Sequence, residues 1–122
     1  MIHKFLSKGI NNVHTSREHI PTWEFTDKQK KSEQDKLTTA EHIIMVFPIY
    51  WVNMPAWSKT WIDQIFTDGF AYVNNNGTFH PDKLKGKKLS VICTSGDKYP
   101  GYPYKNILGP MLHEIANYTG MI

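Results

Sequence analysis

Several features that place a chain in a special class are scarce in this sequence. Its 122 residues include a single cysteine, Cys93, which excludes an internal disulfide framework. The longest apolar stretch, residues 43–52, falls well short of the ~20 residues that span a bilayer. The N-terminus also lacks the apolar core and the small-residue cleavage site of a secretory signal. We therefore expect a protein of the reducing cytoplasm, with no transmembrane segment.

An excess of one charge is absent too. The 14 Lys and Arg residues exceed the 11 Asp and Glu residues by a net charge of +3, which is too small and too evenly spread to indicate a nucleic-acid partner. The six histidines lack the paired helical spacing and the cysteine neighbours of a zinc site, so no metal is predicted. The 40% hydrophobic content is typical of a globular chain, and the length suits one domain over residues 1–122.

Strands and helices alternate along the chain, a pattern typical of α/β proteins, whose ligands bind beyond the carboxyl ends of the strands. The continuously apolar run of residues 42–51 predicts a strand of a parallel sheet covered on both faces, and Pro48 is expected to end it. Residues 89–94 predict a second such strand, and residues 10–14 a short edge strand. Helices are predicted at residues 1–9 and 27–41, from Pro55 towards a stop at Gly69, and from Leu108 to a stop at Gly120.

The sequence also predicts the start and the buried face of the helix at residues 27–41. Thr26 and Gln29 have the spacing of a capping box, in which two side chains satisfy free backbone N–H groups at a helix start. The charges of residues 27–41 are interpreted as a solvated helix face, with Leu37 and Ala40 as its core contacts.

The next helix and turn carry signals of their own. Asn53 or Met54 is expected to cap a helix with Pro55 in its first turn, where a missing N–H costs little. Residues 74–77 (NNNG) are a strong turn signal within a polar stretch that runs to Lys88.

Two loops follow the carboxyl ends of the predicted parallel strands. The first, residues 48–54, offers a rigid proline, backbone amides and the rings of Tyr50 and Trp51, which together form a flat wall suited to a planar heterocycle. The alternative, in which both rings are ordinary core, fits the composition equally well.

The second loop contains small residues. It starts with Thr94, Ser95 and Gly96, whose side chains leave room for backbone N–H groups to approach the carbonyls of a ligand. A planar ring held between the two loops is the simplest interpretation.

Longer motifs match a known family. They are residues 47–56 (FPIYWVNMPA), 59–63 (KTWID), 69–72 (GFAY), 84–88 (LKGKK) and 94–96 (TSG). With these motifs the sequence resembles the flavodoxin-like NAD(P)H:quinone oxidoreductases of the general-stress-protein and DT-diaphorase type.

The resemblance implies a cytoplasmic flavoprotein enzyme. It would bind FMN or FAD, with the short layout favouring FMN, accept hydride from NAD(P)H and pass it to a quinone, nitro or azo compound, without a catalytic protein nucleophile. In such a protein the flavin ring rests on Pro48, Ile49, Tyr50 and Trp51, and its pyrimidine side contacts Thr94, Ser95 and Gly96. A tyrosine of the following loop also lines the pocket, and the candidates are Tyr99, Tyr102 and Tyr104.

The resemblance further implies a homodimer with its active site at the subunit interface. The helix from Pro55 is a candidate contact surface through Trp57 and Trp61, although packing on its own sheet is the alternative for both. Asp97 departs from the family, since many relatives carry a glycine there, and a carboxylate beside the flavin would disfavour a reduced anion.

The family pattern also predicts an incomplete fold. We expect a flavodoxin-like, three-layer α/β parallel sheet without its first strand, its phosphate loop and its fifth strand. Two alternatives to the enzyme follow from this expectation: a redox-inactive ancillary subunit of a potassium-efflux transporter, or a fragment without function.

Overall fold

The computed structural model of the chain describes residues 24–96 and 108–122. Two strands pair in parallel and two others form an antiparallel hairpin. The strand predicted at residues 10–14 and the helix predicted at residues 1–9 lie outside the described residues. In chain order the elements are α1 (Asp27–Thr39), β1 (His42–Pro48), α2 (Ala56–Ile65), β2 (Tyr72–Asn75), β3 (Thr78–Pro81), β4 (Lys88–Thr94) and α3 (Leu108–Thr119).

The parallel sheet consists of β1 and β4, the two apolar runs of the sequence. The strands pair in register, from His42 opposite Lys88 to Pro48 opposite Thr94. Parallel pairing needs a long crossover between the strands, and α2 with the hairpin occupies that connection. The predicted α/β architecture with a parallel sheet is therefore confirmed.

One face of this sheet carries the hydrophobic core. Ile43 and Phe47 of β1 are buried there among residues from the helices. Ile65 of α2 and Leu84, before β4, are completely buried in the same core. Burying an aliphatic side chain of this size stabilises a fold by about 1.5–3 kcal/mol, so these contacts hold the helices on the sheet.

The other face of the sheet is open in the described part of the chain. Ile44 and Val46 of β1 are each 40% exposed, and Ile92 of β4 is 48% exposed. Successive side chains of a strand point to opposite faces, so these three lie on the side away from the core. Within residues 24–96 and 108–122, the prediction of a strand covered on both faces is not met.

Helix α1 begins as predicted and packs in an unpredicted way. The Thr26 side chain accepts from the Gln29 N–H while the Gln29 side chain accepts from the Thr26 N–H, so the capping box is confirmed. Leu37 is buried, as expected. Glu33 is also buried, although its charge was interpreted as part of the solvated face, and its carboxylate accepts from Lys36 Nζ at 2.7 Å.

A hairpin fills the polar stretch in which only a turn was predicted. Asn76 and Gly77 join β2 to β3 with φ angles of 51° and 87°, as in the two-residue turn that suits the twist of paired strands. The Phe79 ring packs edge-on against Tyr72 at 5.6 Å and against Tyr118 of α3 at 5.7 Å between ring centroids. These aromatic contacts attach the hairpin to α3.

Helix α3 ends where predicted, at Gly120. This residue has a φ of 67°, and a Cβ placed on it would lie 2.7 Å from Cβ of Pro81. After it, the Ile122 N–H donates to the Lys87 carbonyl and the Leu89 N–H donates to the Ile122 carbonyl, at 2.9 and 2.8 Å. The backbone of Ile122 thus pairs with the free side of β4 in the pattern of a parallel strand.

Candidate functional site

The two predicted loops meet at one edge of the parallel sheet. Pro48 and Thr94 end β1 and β4 as direct partners, and the Ile49 N–H donates to the Thr94 carbonyl at 2.7 Å just beyond them. The first loop therefore starts against the second, at the carboxyl end of both strands. This is the position at which open α/β sheets bind their ligands.

The first loop folds into a tight turn. The Tyr50 N–H donates to the Asn53 carbonyl at 2.9 Å, and the Asn53 N–H donates to the Tyr50 carbonyl at 3.0 Å. Between them, Trp51 and Val52 have φ angles of 49° and 65°, so both central residues are left-handed. Such a turn normally carries asparagine and glycine.

Backbone strain marks this turn as a functional candidate. A positive φ is a genuine outlier for a bulky or β-branched residue such as Trp51 or Val52 and costs about 1–3 kcal/mol. Strain of this kind persists where the surrounding structure enforces it, and it clusters at ligand sites. Here the paired backbones of Tyr50 and Asn53 enforce it.

The turn presents two free donors. In the part of the chain that the structure describes, the backbone N–H groups of Trp51 and Val52 have no hydrogen-bond acceptor. Successive N–H groups in a turn form a concave donor site for electron-rich atoms. Val52 was absent from the predicted site, because no residue preference signals a left-handed valine. In the sequence, the two prolines on either side of the turn, Pro48 and Pro55, indicated that the loop is rigid.

The aromatic wall of the site faces solvent. Tyr50 is 57% exposed and Trp51 is 99% exposed. Both rings are therefore available for contact, and the alternative interpretation as ordinary core residues is wrong. Large apolar rings left in water at a strained turn are typical of a ligand or partner surface.

The described residues of the second loop are small and exposed. Thr94, Ser95 and Gly96 are all exposed. Among the described residues, a Cβ added to Gly96 would meet nothing within 4 Å, so packing against that part of the chain does not explain the glycine at this position. The structure thus brings Thr94, at the start of the second loop, against Pro48 and Ile49 of the first. Tyr99, Tyr102 and Tyr104 lie outside the described residues.

A buried apolar cluster includes residues that flank the two loops. Phe47 and Met54, at the two ends of the first loop, are buried together with Ile62 of α2 and Leu108 of α3. Cys93 packs at the edge of this cluster, and its partial burial raises the pKa of the thiol. Cys93 therefore remains a neutral thiol, as expected for a core residue rather than a nucleophile.

The helix after the first loop starts one residue later than predicted. Pro55 is the N-cap of α2, and no side chain caps this helix. Neither Asn53 nor Met54 is the cap. The Asn53 side chain instead accepts from the Met54 N–H at 2.7 Å, which leaves it inside the turn.

The site is electrically neutral in the described parts of the two loops. Residues 48–54 and 94–96 contain no charged side chain. Within the described residues, no group of three metal-ligating side chains converges. A separate finding is that none of the helices described is long and apolar enough to cross a bilayer. The described part of the site therefore offers aromatic surface and backbone donors.

These features define the class of protein. It is an α/β protein with exposed aromatic rings and backbone donors at the carboxyl end of a parallel sheet, an arrangement suited to a planar ligand. The family described as having a flavodoxin-like fold matches residues 5–122, and the chain belongs to this family.

Individual relatives agree with this assignment. The uncharacterized NAD(P)H oxidoreductase YrkL of Bacillus subtilis is 35% identical over 98 residues, which cover 75% of this chain and 53% of YrkL. An NADPH-quinone reductase from P. pentosaceus superposes with a TM-score of 0.66 at 28% identity, covering 83% of this chain and 59% of that one. The general stress protein 14 of Treponema denticola, solved in complex with FMN, gives 0.67 at 26% identity, over 83% and 57% of the two chains. The chain spans about half the length of the curated relatives it matches.

Proposed function

We propose that the chain binds FMN in an NAD(P)H oxidoreductase that reduces quinones or similar nitro and azo compounds. The observation that carries the proposal is the strained Trp51–Val52 turn, whose two N–H groups have no acceptor among the described residues. It lies in the loop whose Ile49 N–H donates to the carbonyl of Thr94, at the start of the second loop. The relatives named as NAD(P)H oxidoreductase and NADPH-quinone reductase, and the relative solved with FMN, support it.

The residues present fit an isoalloxazine ring. Such a ring is flat and apolar over its benzenoid half, which suits the exposed rings of Tyr50 and Trp51. Its pyrimidine half carries carbonyl oxygens and ring nitrogens, which suit the free N–H groups of Trp51 and Val52. The missing side chain of Gly96 leaves room for the ring edge. On this basis Pro48–Val52 and Thr94–Gly96 would hold the cofactor.

When bound, FMN would supply the chemistry for hydride transfer between NAD(P)H and the acceptor. The protein positions the ring and sets the electrostatic environment around it. The Trp51 and Val52 N–H groups, which the Tyr50–Asn53 pairing fixes in advance, would donate to electron-rich atoms of the ring and would favour negative charge there. The exposed Tyr50 and Trp51 rings offer a flat surface for a planar acceptor such as a quinone.

We propose that the protein acts as a homodimer in the reducing cytoplasm. Trp57 lies on α2, which follows the first loop in the chain, and is 39% exposed, as Tyr50 and Trp51 of that loop are exposed too. A second copy that covers these three rings would exclude water from the ligand. Trp61, in contrast, packs inside this chain against the core.

A flavin titration tests the proposed function. The purified chain is mixed with FMN, and binding is followed by visible absorption and by quenching of flavin fluorescence. We expect binding near one FMN per chain, with bleaching of the flavin band on anaerobic addition of NAD(P)H. Trp51→Ala and Gly96→Val should each weaken binding at least about tenfold, the factor that corresponds to ~1.4 kcal/mol.

A matched control keeps this test specific. His80 is exposed on β3, in the hairpin, and His80→Ala should leave FMN affinity unchanged. Equal losses in all three variants would contradict the site. A folded chain that binds no FMN would instead favour the alternative of a redox-inactive ancillary subunit, and an unfolded chain would favour the fragment.

A further inference from the structure

The turn between β2 and β3 combines two residues with special reactivity. Of the eight asparagines in the sequence, only Asn76 is followed by glycine. Asn76 and Gly77 are both exposed at the tip of the hairpin. Among the described residues, a Cβ built on Gly77 would meet nothing within 4 Å, which agrees with the exposure of the peptide that joins the two residues.

An asparagine followed by glycine can cyclise, because glycine presents no side chain that shields its backbone nitrogen. The Gly77 nitrogen loses its proton and attacks Cγ of Asn76, forming a new C–N bond. The side-chain amide then leaves as ammonia, and the product is a five-membered succinimide. Water opens this ring at either carbonyl and gives aspartate or isoaspartate, with no change in oxidation state.

The native turn restrains the attacking nitrogen. The Gly77 N–H donates to Oδ1 of Asn74 at 2.9 Å. To attack Asn76, this nitrogen must give up its proton and leave the hydrogen bond. The Asn74 side chain therefore opposes the first step in the folded state, and only in the folded state.

From these contacts we infer that Asn76 is the principal site of spontaneous deamidation in this chain, and that the Asn74 side chain slows the reaction. The asparagines at positions 74 and 75 are less reactive, because each is followed by another asparagine rather than by glycine.

Isoaspartate at position 76 would change the hairpin. It adds one backbone atom to a two-residue turn whose flanking residues, Asn75 and Thr78, are paired. The register of β3 behind it positions Phe79 between Tyr72 and Tyr118. The modification thus adds a negative charge at the tip and loosens the contact between the hairpin and α3. Aspartate, in contrast, is compatible with a left-handed turn position.

Peptide mapping tests the inference. The full chain is incubated in mildly alkaline buffer, digested, and analysed by mass spectrometry with fragmentation that separates aspartate from isoaspartate. We expect modification at Asn76 before any other asparagine. Asn74→Ala should accelerate it about 3- to 10-fold, the rate factor that corresponds to one hydrogen bond.

Three comparisons make the test specific. Asn75→Ala keeps the Asn74–Gly77 hydrogen bond and should leave the rate unchanged, and Asn74→Asp keeps an acceptor oxygen and should restore the slow rate. In denaturant the wild-type chain and Asn74→Ala should react at the same rate, since the hydrogen bond is lost in both. Circular dichroism establishes that each variant is folded before incubation.

Two results would overturn the inference. If another asparagine reacts faster than Asn76, the principal site is wrong. If Asn76 reacts first but Asn74→Ala has the wild-type rate in the folded chain, the role of Asn74 is wrong.

Discussion

The indole N–H of Trp61 in α2 donates to Oε2 of Glu33 in α1, at 3.1 Å. Glu33 is 7% exposed, and its other carboxylate oxygen accepts from Lys36 Nζ. A buried carboxylate is tolerated only when donors satisfy it. This hydrogen bond therefore ties the most polar helix of the described chain to the helix that follows the ligand-site loop.

Removing Glu33 should destabilise the fold. Glu33→Ala leaves the half-buried indole N–H of Trp61 without this acceptor, and an unsatisfied donor costs about 1–3 kcal/mol when it is shielded from water. The free energy of unfolding, measured by urea denaturation, should fall by that amount. Asp35→Ala is the control, since Asp35 is exposed and its ion pair with Lys31 contributes at most about 1 kcal/mol. Equal losses in the two variants would argue against a role for the Trp61 contact.

Replacing Val52 by glycine should stabilise the chain. Val52 has a φ of 65°, a conformation that glycine adopts without strain. Val52→Gly should therefore raise the free energy of unfolding by about 1 kcal/mol, the relieved strain less the extra entropy of the unfolded glycine. Thermal unfolding measures the change. A loss of stability in Val52→Gly would mean that the side chain contributes more by packing than it costs by strain.

Gly120 should not tolerate alanine. Its φ is 67°, and the added Cβ would lie 2.7 Å from Pro81, so both strain and overlap oppose the substitution. We expect Gly120→Ala to cost about 1–3 kcal/mol of unfolding free energy. Gly86 is the matched control, since its φ is 77° but a Cβ there meets nothing within 4 Å among the described residues, so Gly86→Ala should show the cost of strain alone, about 1 kcal/mol. Similar costs at the two positions would refute the predicted clash.

The thiol of Cys93 should react slowly in the native chain. Burial raises its pKa, so less thiolate is present at a given pH than in the unfolded chain. Alkylation by iodoacetamide at mildly alkaline pH should therefore be slower in buffer than in denaturant. A native rate equal to the denatured rate would exclude this protection.

The same shift in the Cys93 pKa gives a pH dependence of stability. The thiol ionises at a lower pH in the unfolded chain than in the folded chain. The stability that the neutral thiol gives the fold is therefore fully present below the ordinary thiol pKa and is lost as the pH rises above it. At alkaline pH the free energy of unfolding should therefore fall less in Cys93→Ala than in the wild-type chain.

Elements with local signals were predictable from the sequence. The strand at His42–Pro48, the Thr26–Gln29 capping box and the stop at Gly120 each depend on residues adjacent in the chain, and all three are confirmed. The paired loops at Pro48 and Thr94 followed from the general rule for parallel sheets.

Elements that depend on distant partners were not predictable. Glu33 is buried because Trp61, 28 residues away, supplies a donor, and no local pattern distinguishes it from its solvated neighbours. The β2–β3 hairpin was missed because its strands are short and largely exposed, so no apolar alternation marks them. The Trp51–Val52 turn has no sequence signal because its conformation is set by the backbone pairing around it rather than by residue preference.

The absence of charged side chains from the described parts of the two loops affects how ionic strength acts on binding. Salt screens attraction between charges over a Debye length of about 10 Å at 0.1 M, but it leaves stacking and backbone donation to a neutral ring largely unchanged. Lumiflavin, which has the ring without the ribityl phosphate, would therefore bind these loops equally well in dilute and concentrated salt. Any salt dependence seen with FMN alone would report contacts to its phosphate, and the two ligands together would separate the energy of the ring from that of the tail.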